Sequence, residues 1–384
     1  MFFKLGYYLL VAVLFILSFP LLVLLSFKPK YKDSIPARFW LSNNPPFNKE
    51  NIWFHACSLG EAKSLKPFVD ALGSDNINIS VITNTGFEEA KKLTQNVRFL
   101  PFEHLIGLWQ QKAKTLFVLE AELWYLLFLG AKRRGTKTVL LNARMSDRSF
   151  KSYLRLKWFY KKVFANIDAV FAQSTLDAER LKQLGANNIE VIGNIKMANE
   201  VVCSYKYHKP EDYVIVGAST HEGEEQIILD AYQKYNRGKL ILVPRHPERF
   251  DTVSKMAEKF AKAEKKSFQR FSKKQNFDSD IIVVDMMGEL IEIYAIADVV
   301  ILAGSLVPNI GGHNPLEPTA LHCKVISGKE IFNLKSIFDG VEHIIFTDAQ
   351  NLIEALLDAE VALPAEIKHQ VDIDDVLKKL SHYL

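Results

Sequence analysis

Apolar positions fall into two regimes along the chain. Residues 5–27 carry no charge, and Lys4 and Lys28 close that run. As a helix it would be roughly 34 Å long, enough to cross a bilayer with some tilt. A cleaved signal peptide would have a shorter apolar core followed by small residues, whereas Lys28, Lys30, Lys32 and Arg38 follow here. The run reads as an uncleaved anchor over residues 1–27, single-pass or monotopic, with Pro20 a place for a kink. The basic residues behind it place the remainder on the cytoplasmic side. An anchor of this kind adds nothing to a globular core, so a chain lacking it should still fold.

After a linker at 43–47, rich in Asn and Pro, the pattern changes to short apolar runs alternating with helical spacing. Strands are predicted at 52–55, 77–83, 115–119, 138–141, 169–172 and 189–192. Between the first two, Leu65, Phe68, Val69 and Leu72 recur at helical intervals. A turn is predicted at 84–86, with a helix from Phe87. A polar gap at 203–212 precedes a second series, with strands at 214–216, 240–243, 281–284 and 298–304. The charged segment 255–274 reads as a solvated helix face and a loop. Polar residues collect where each strand ends, the pattern of parallel α/β sheets that bind ligands beyond those ends.

Composition narrows this little. The 384 residues are 48% hydrophobic with a net charge of +4, too mild to argue for a nucleic-acid protein. Cys57, Cys203 and Cys323 stand far apart, neither a disulfide framework nor a zinc site.

Chemistry concentrates at a few strand ends. Gly311-Gly312-His313-Asn314-Pro315-Leu316-Glu317-Pro318 links the 298–304 strand to a helix-forming run. Backbone N–H groups at such a turn suit a phosphate, and Glu317 could accept hydrogen bonds from ribose hydroxyls. Read alone, the stretch is equally a glycine turn with a helix-start carboxylate. Glu61, at a glycine turn after the first strand, is likewise either a proton acceptor or a first-turn carboxylate favoured by the helix dipole. A basic and aromatic block at 132–162 includes Arg144, Arg148 and Lys151. Beside an anchor, it points to anionic lipid rather than nucleic acid. His221, His246 and His313 lack metal-binding spacing, so they read as hydrogen-bonding. The Asp278-Ser-Asp280 and Asp372-Ile-Asp374 pairs read as surface features.

The chain resembles the 3-deoxy-D-manno-octulosonic acid (Kdo) transferases along nearly its whole length. The resemblance is carried by His55-Ala-Cys-Ser-Leu-Gly-Glu61, Glu120-Ala-Glu-Leu-Trp124, Asn142-Ala-Arg144, Gly193-Asn-Ile-Lys196, Gly217-Ala-Ser-Thr-His-Glu222, Pro244-Arg-His-Pro-Glu-Arg-Phe250, Met287-Gly-Glu289 and Asn314-Pro-Leu-Glu-Pro318. Where the family pattern carries proline after Glu-Leu-Trp, this chain has Tyr125. The resemblance implies a GT-B fold: two Rossmann-like α/β domains facing across a cleft, an acceptor-binding one at 28–203 and a CMP-sugar-binding one at 204–384, whose last helix can pack back on the first. It implies inverting, metal-independent transfer of Kdo from CMP-Kdo to a lipid A precursor (lipid IVA) in lipopolysaccharide core biosynthesis, at the inner membrane and without a cofactor.

Carried over residue by residue, it makes Glu61 the general base, with Glu120 and Lys196 stabilising the transition state. Ser219, Pro244, Arg245, Met287, Gly288, Glu289, Gly311, Gly312, Asn314, Pro315, Leu316 and Glu317 would bind the donor. Arg144, Arg148 and Lys151 would meet the acceptor or the membrane. The competing expectations are a membrane-associated GT-B glycosyltransferase with another nucleotide sugar, and a nucleotide-sugar epimerase of the same fold. The anchor and basic block speak against the epimerase, whose soluble substrate needs neither.

Overall fold

Short runs rich in β-branched and aromatic residues, buried on both faces, make two all-parallel sheets. The computed structural model describes residues 2–198, 201–332, 334–368 and 371–384. The chain divides into one unit of residues 1–199 with 371–384, and a second of residues 200–370. The boundary thus falls at 199/200 rather than 203/204, and the last stretch belongs with the first unit.

The first unit holds β1 (Ile52–Ala56), β2 (Ile77–Val81), β3 (Val97–Phe99), β4 (Thr115–Leu119), β5 (Lys137–Ala143), β6 (Ala169–Ala172) and β7 (Ile189–Val191). Their spatial order is β3-β2-β1-β4-β5-β6-β7. Side-chain alternation sends Trp53, Leu116, Val118 and Leu140 to one face and Phe54, Phe117, Leu119 and Leu141 to the other. The helix Ile373–Leu380 adds Val376 and Leu380 to that second face, and Lys137 Nζ donates to the His382 carbonyl at 2.6 Å.

The second unit holds β8 (Val214–Thr220), β9 (Lys239–Pro244), β10 (Phe268–Arg270), β11 (Ile281–Val283), β12 (Val299–Leu302), β13 (Lys324–Gly328), β14 (Val341–Glu342), β15 (Ile344–Thr347) and β16 (Glu366–Ile367). Seven form a sheet ordered β10-β11-β9-β8-β12-β13-β15, and β14 and β16 make a separate antiparallel ribbon. Strands β3, β10, β13, β14, β15 and β16 were not expected. All but the five-residue β13 are two to four residues long, and Arg98 and Gln269 break the apolar run in β3 and β10. The turn expected at 84–86 is the first turn of the helix Asn84–Lys91, where Thr83 Oγ1 caps Gly86 N–H at 3.1 Å.

The first helix, Phe2–Ser26, corrects the idea that the anchor adds nothing to a core. Phe3 and Tyr7 pack against the core under the Tyr125–Arg133 helix. Tyr7 Oη donates to Glu103 Oε2 at 2.7 Å, while Glu103 Oε1 accepts the Leu126 N–H at 2.7 Å. Glu103 is buried, and its pKa is raised by that burial against the pull of these two bonds. Tyr7→Phe should therefore lower stability by roughly 1–3 kcal/mol, the cost of a lost bond to a carboxylate. Deleting residues 1–27 should cost more, because Phe3 is lost as well. Thermal unfolding in one detergent measures both, and a truncated chain melting at the full-length temperature would refute the docking.

Candidate active site

Strand order reverses between β1 and β4 in the first unit and between β8 and β12 in the second. Such reversals leave a crevice at the carboxyl ends of the strands, and in each unit polar side chains gather there.

In the first unit, β1 runs into the helix Leu59–Ser64, whose first turn carries Glu61. Glu61 is 7% exposed. Its Oε2 accepts the Cys57 N–H at 2.8 Å and its Oε1 the Ser58 hydroxyl at 2.9 Å. Ser58-x-x-Glu61 has capping-box spacing, so the start of the helix itself fixes the carboxylate. Burial pushes its pKa up to about 7, with the Glu120 charge adding and Cys57, Ser58 and Lys196 opposing. A fixed carboxylate that changes charge near neutrality can take a proton from a hydroxyl.

Glu120 follows β4 with φ +56°, although its N–H still reaches the Leu141 carbonyl at 2.9 Å. Left-handed backbone at a non-glycine residue costs on the order of 1–3 kcal/mol and is held by its surroundings. Here the carboxylate pairs with Lys196 Nζ through Oε1 and stands 3.4 Å from Arg144 Nε through Oε2.

Two asparagines that the sequence reading left without a role aim Lys196. Asn142 Oδ1 accepts the Ile195 N–H at 3.1 Å, and Asn142 Nδ2 donates to Asn194 Oδ1 at 3.3 Å. Asn194 Oδ1 also accepts the Lys196 N–H at 3.1 Å. Asn142 sits at φ +54°, where the β5–β6 register shifts, and such an irregularity re-aims side chains. Glu122 is held by the Trp124 indole N–H at 2.7 Å and by the Cys57 thiol. Burial, helped by Glu122, pushes that thiol up, so it stays protonated. With Tyr125 in place of proline, a helix still starts at Tyr125.

In the second unit, β8 ends in a matching irregularity. Ser219 is buried at φ +57°, where the β8–β9 register shifts. Glu224, fully buried, accepts the N–H groups of His221 at 3.0 Å, Gly304 at 2.7 Å and Leu306 at 3.1 Å, stapling the loop after β12 to the start of the helix Glu224–Tyr235. Gly304 has φ +73°, and a Cβ there would meet the His313 ring at 3.0 Å.

The rings of His221 and His313 stack with their Nε2 atoms 2.9 Å apart. His313 also bonds the Ser219 backbone, and burial, with His221, Arg245 and His246 adding, lowers its pKa to about 4. Arg245 is exposed and makes no ion pair among the described residues, whereas Arg249 is pinned to buried Glu225 at 2.5 Å. Among the described residues, no three His, Cys, Asp or Glu side chains converge as a metal site requires.

The glycine stretch differs from its expected geometry. Its helix is only Leu316–Ala320. The Leu316 N–H is taken by Asn314 Oδ1 at 3.1 Å and the Gly312 N–H by the Gly304 carbonyl at 2.7 Å. Positive φ at Gly311 (+100°) and Gly312 (+79°) explains those glycines through backbone shape. Pro315 and Leu316 are buried, and Glu317 is half-buried on the first turn. Pro244 closes β9 ahead of Arg245. Met287 is 60% exposed beside Gly288, while Glu289 accepts from Tyr207 Oη at 2.7 Å and pairs with Lys206.

Several members of the basic block are engaged by the fold. Lys132 pairs with Asp168, and Arg134 caps the Gly107 carbonyl at 2.7 Å. Arg144 joins the Glu120 cluster, and Lys151 is exposed on the helix Asp147–Arg155. The side chain of Arg148 lies outside the described residues.

A family described as 3-deoxy-D-manno-octulosonic-acid transferase (kdotransferase) matches residues 33–199. The 3-deoxy-D-manno-octulosonic acid transferase of Haemophilus influenzae is 34% identical, covering 88% of this chain and 86% of its own. That of Chlamydia muridarum is 28% identical, covering 91% and 86%. Among solved structures, UDP-GlcNAc 2-epimerase from Neisseria meningitidis, bound to UDP-GlcNAc, is similar with a TM-score of 0.57 at 11% identity, over 87% of this chain and 99% of that one. At that identity the likeness speaks for the fold alone, a GT-B pair of Rossmann-like units. The extent and identity of the Haemophilus match place the chain in the Kdo transferase family, glycosyltransferases of lipopolysaccharide biosynthesis.

Proposed function

We propose that the protein transfers Kdo from CMP-Kdo to the hydroxyl of a lipid A precursor (lipid IVA) with inversion, without a metal, at the cytoplasmic face of the inner membrane. The observation that carries this reading is Glu61: buried, fixed by its own helix start, and set beside the Glu120–Lys196–Arg144 group. Glu61 takes the proton of the acceptor hydroxyl as that oxygen attacks the anomeric carbon. The bond from that carbon to the phosphate oxygen breaks on the opposite face, and its electron pair leaves with CMP. Lys196 and Arg144 supply positive charge at the acceptor-side cluster, and Glu120 holds both in place. In the second unit, Arg245, Ser219 and the 311–317 loop hold the nucleotide, with Glu317 on the ribose. Weighing the lipid after incubation with CMP-Kdo and lipid IVA tests the whole reading. No added Kdo mass, or equal use of other nucleotide sugars, would reject it. Activity lost to EDTA and restored by Mg²⁺ would reject the metal-free step.

Glu61→Gln should cut kcat by roughly 10²–10⁴ with little change in melting temperature. The amide oxygen can still accept the Cys57 N–H, and the Ser58 hydroxyl can rotate to accept from the amide. A variant that melts lower yet turns over normally would leave Glu61 a helix-capping residue only.

The pH profile supplies an independent check. Activity should rise through an acidic limb near pH 7, as Glu61 loses its proton. Glu120→Gln removes a like charge and should move the limb to lower pH; Lys196→Met removes a cation and should move it higher. For stability the sign is opposite. A carboxyl raised from 4.5 to about 7 contributes stability fully below 4.5 and loses it as pH climbs through 7. Glu61→Gln should flatten that part of the Tm–pH curve.

Arg245→Ala should weaken CMP binding by roughly 1.5–3 kcal/mol, the loss of one charged hydrogen bond, and leave the Glu61 limb of the pH profile where it is. Unchanged CMP affinity in calorimetry would remove Arg245 from the donor site.

A further inference from the structure

We propose that the helix Phe2–Ser26 lies flat along the first unit, with its outward face in one leaflet of an anionic bilayer, and does not cross the membrane. The inference rests on the membrane association proposed above and goes beyond it in fixing how the helix sits.

One stripe of the helix is in contact with the unit from end to end. The Phe3 ring lies 5.4 Å from Tyr125 and 5.8 Å from Trp158, with Lys162 Nζ 4.8 Å from its centroid. Tyr7 stacks 5.4 Å from Phe159 and bonds Glu103. Val11 is buried. Phe15 reaches His104 at 4.2 Å and Phe39 at 6.1 Å, and Phe19 meets Trp40 at 5.9 Å. Positions 3 to 19 span about 24 Å of helix. A helix crossing the bilayer leaves its globular unit at one end and is surrounded by lipid over such a length. To keep these contacts while spanning, the buried Glu103 carboxylate, His104 and the Lys162 ammonium would have to enter hydrocarbon with it, at several kcal/mol each. Lying along the unit avoids that cost.

The opposite face is apolar and bare. Leu5, Leu9, Val13, Leu17, Leu21 and Leu24 are 50–73% exposed, a stripe too long for a surface meant to meet water. Interfacial helices normally need a polar face for water; here the protein covers that side, so the helix can be apolar all round. Charge complements the occupant. Lys4 stands at one end of the stripe and Lys28, Lys30 and Lys32 at the other, suited to anionic headgroups. Trp158, 58% exposed and touching Phe3, supplies an aromatic of the kind that settles at the headgroup level. Through Tyr7 and Glu103 the same helix holds the Leu126 N–H, at the start of the helix that follows Glu120 and Glu122.

The two orientations differ in where the segment ahead of Met1 ends up. The full chain, carrying an epitope and a specific protease site before Met1, is produced in bacteria, and sealed inverted inner-membrane vesicles and spheroplasts are treated with the protease. A flat helix predicts that the epitope is cut in inverted vesicles, where the cytoplasmic face is outside, and survives in spheroplasts. Cutting in spheroplasts, with protection in inverted vesicles until detergent is added, means a spanning helix and overturns the proposal. Flotation of the same vesicles separates the two readings: a chain that does not float with lipid overturns membrane association itself, and the flat helix with it.

Discussion

The strand ends of this protein depend on carboxylates that accept backbone N–H groups no ladder can satisfy. A buried N–H without a partner costs as much as a lost hydrogen bond, and the loops beyond parallel strands are full of them. Glu224 takes three such groups, Glu103 takes Leu126, Asp177 takes Met145, Asp285 takes Ser272 and Glu61 takes Cys57. These bonds favour the charged form, and at Asp285 they prevail: burial alone would raise its pKa, but Ser272 and Arg270 bring it below the ordinary range. At Glu103 and Glu224 burial outweighs them and the pKa is raised. Glu61 does the same bracing work, and there too burial prevails. Its two donors are outweighed by burial and by the Glu120 charge, so it settles near neutrality. The fold-building role and the proposed chemical role are therefore one placement.

That placement explains what was legible in the sequence. The long β-branched strands and the polar residues ending them could be read, because period and burial leave a strong local trace. Glu61 was also legible as a first-turn carboxylate after a glycine turn. The three-residue strands β3 and β10 were not, since Arg98 and Gln269 interrupt their apolar runs and a run that short carries no period. Asn142 and Asn194 were quoted only as part of matching motifs. Their work, a relay that aims Lys196, joins residues 52 positions apart and has no local signal. The docking of the first helix was missed for a related reason: a uniformly apolar segment has no polar face to show which side is covered.

Both units turn the same device to use at their strand ends. Asn142 and Ser219 occupy left-handed backbone at a register shift, Ser219 on a strand that flanks the reversal of strand order and Asn142 one strand away from it. The extra residue swings the next side chains out of the sheet. In the first unit that brings Arg144 to Glu120; in the second it sets the Ser219 backbone against His313. The His313 and His221 pair, both held below the ordinary imidazole pKa, then fills space beside Arg245.

The Glu120–Lys196 pair is hard to justify as a stabiliser. Partly buried ion pairs return little once desolvation is counted, and Glu120 adds backbone strain. Its surroundings suggest a different use. Glu61, Glu120 and Glu122 lie among Lys196, Arg144 and the half-buried Arg38, so acids and bases balance while Glu61 is ionised. When Glu61 takes a proton, the balance tips by one positive charge. In the proposed reaction that happens as the bond to phosphate breaks and negative charge develops on the leaving group. The strain and desolvation held at Glu120 would then keep two cations fixed through that step, where cations left to reorganise would lose much of their effect.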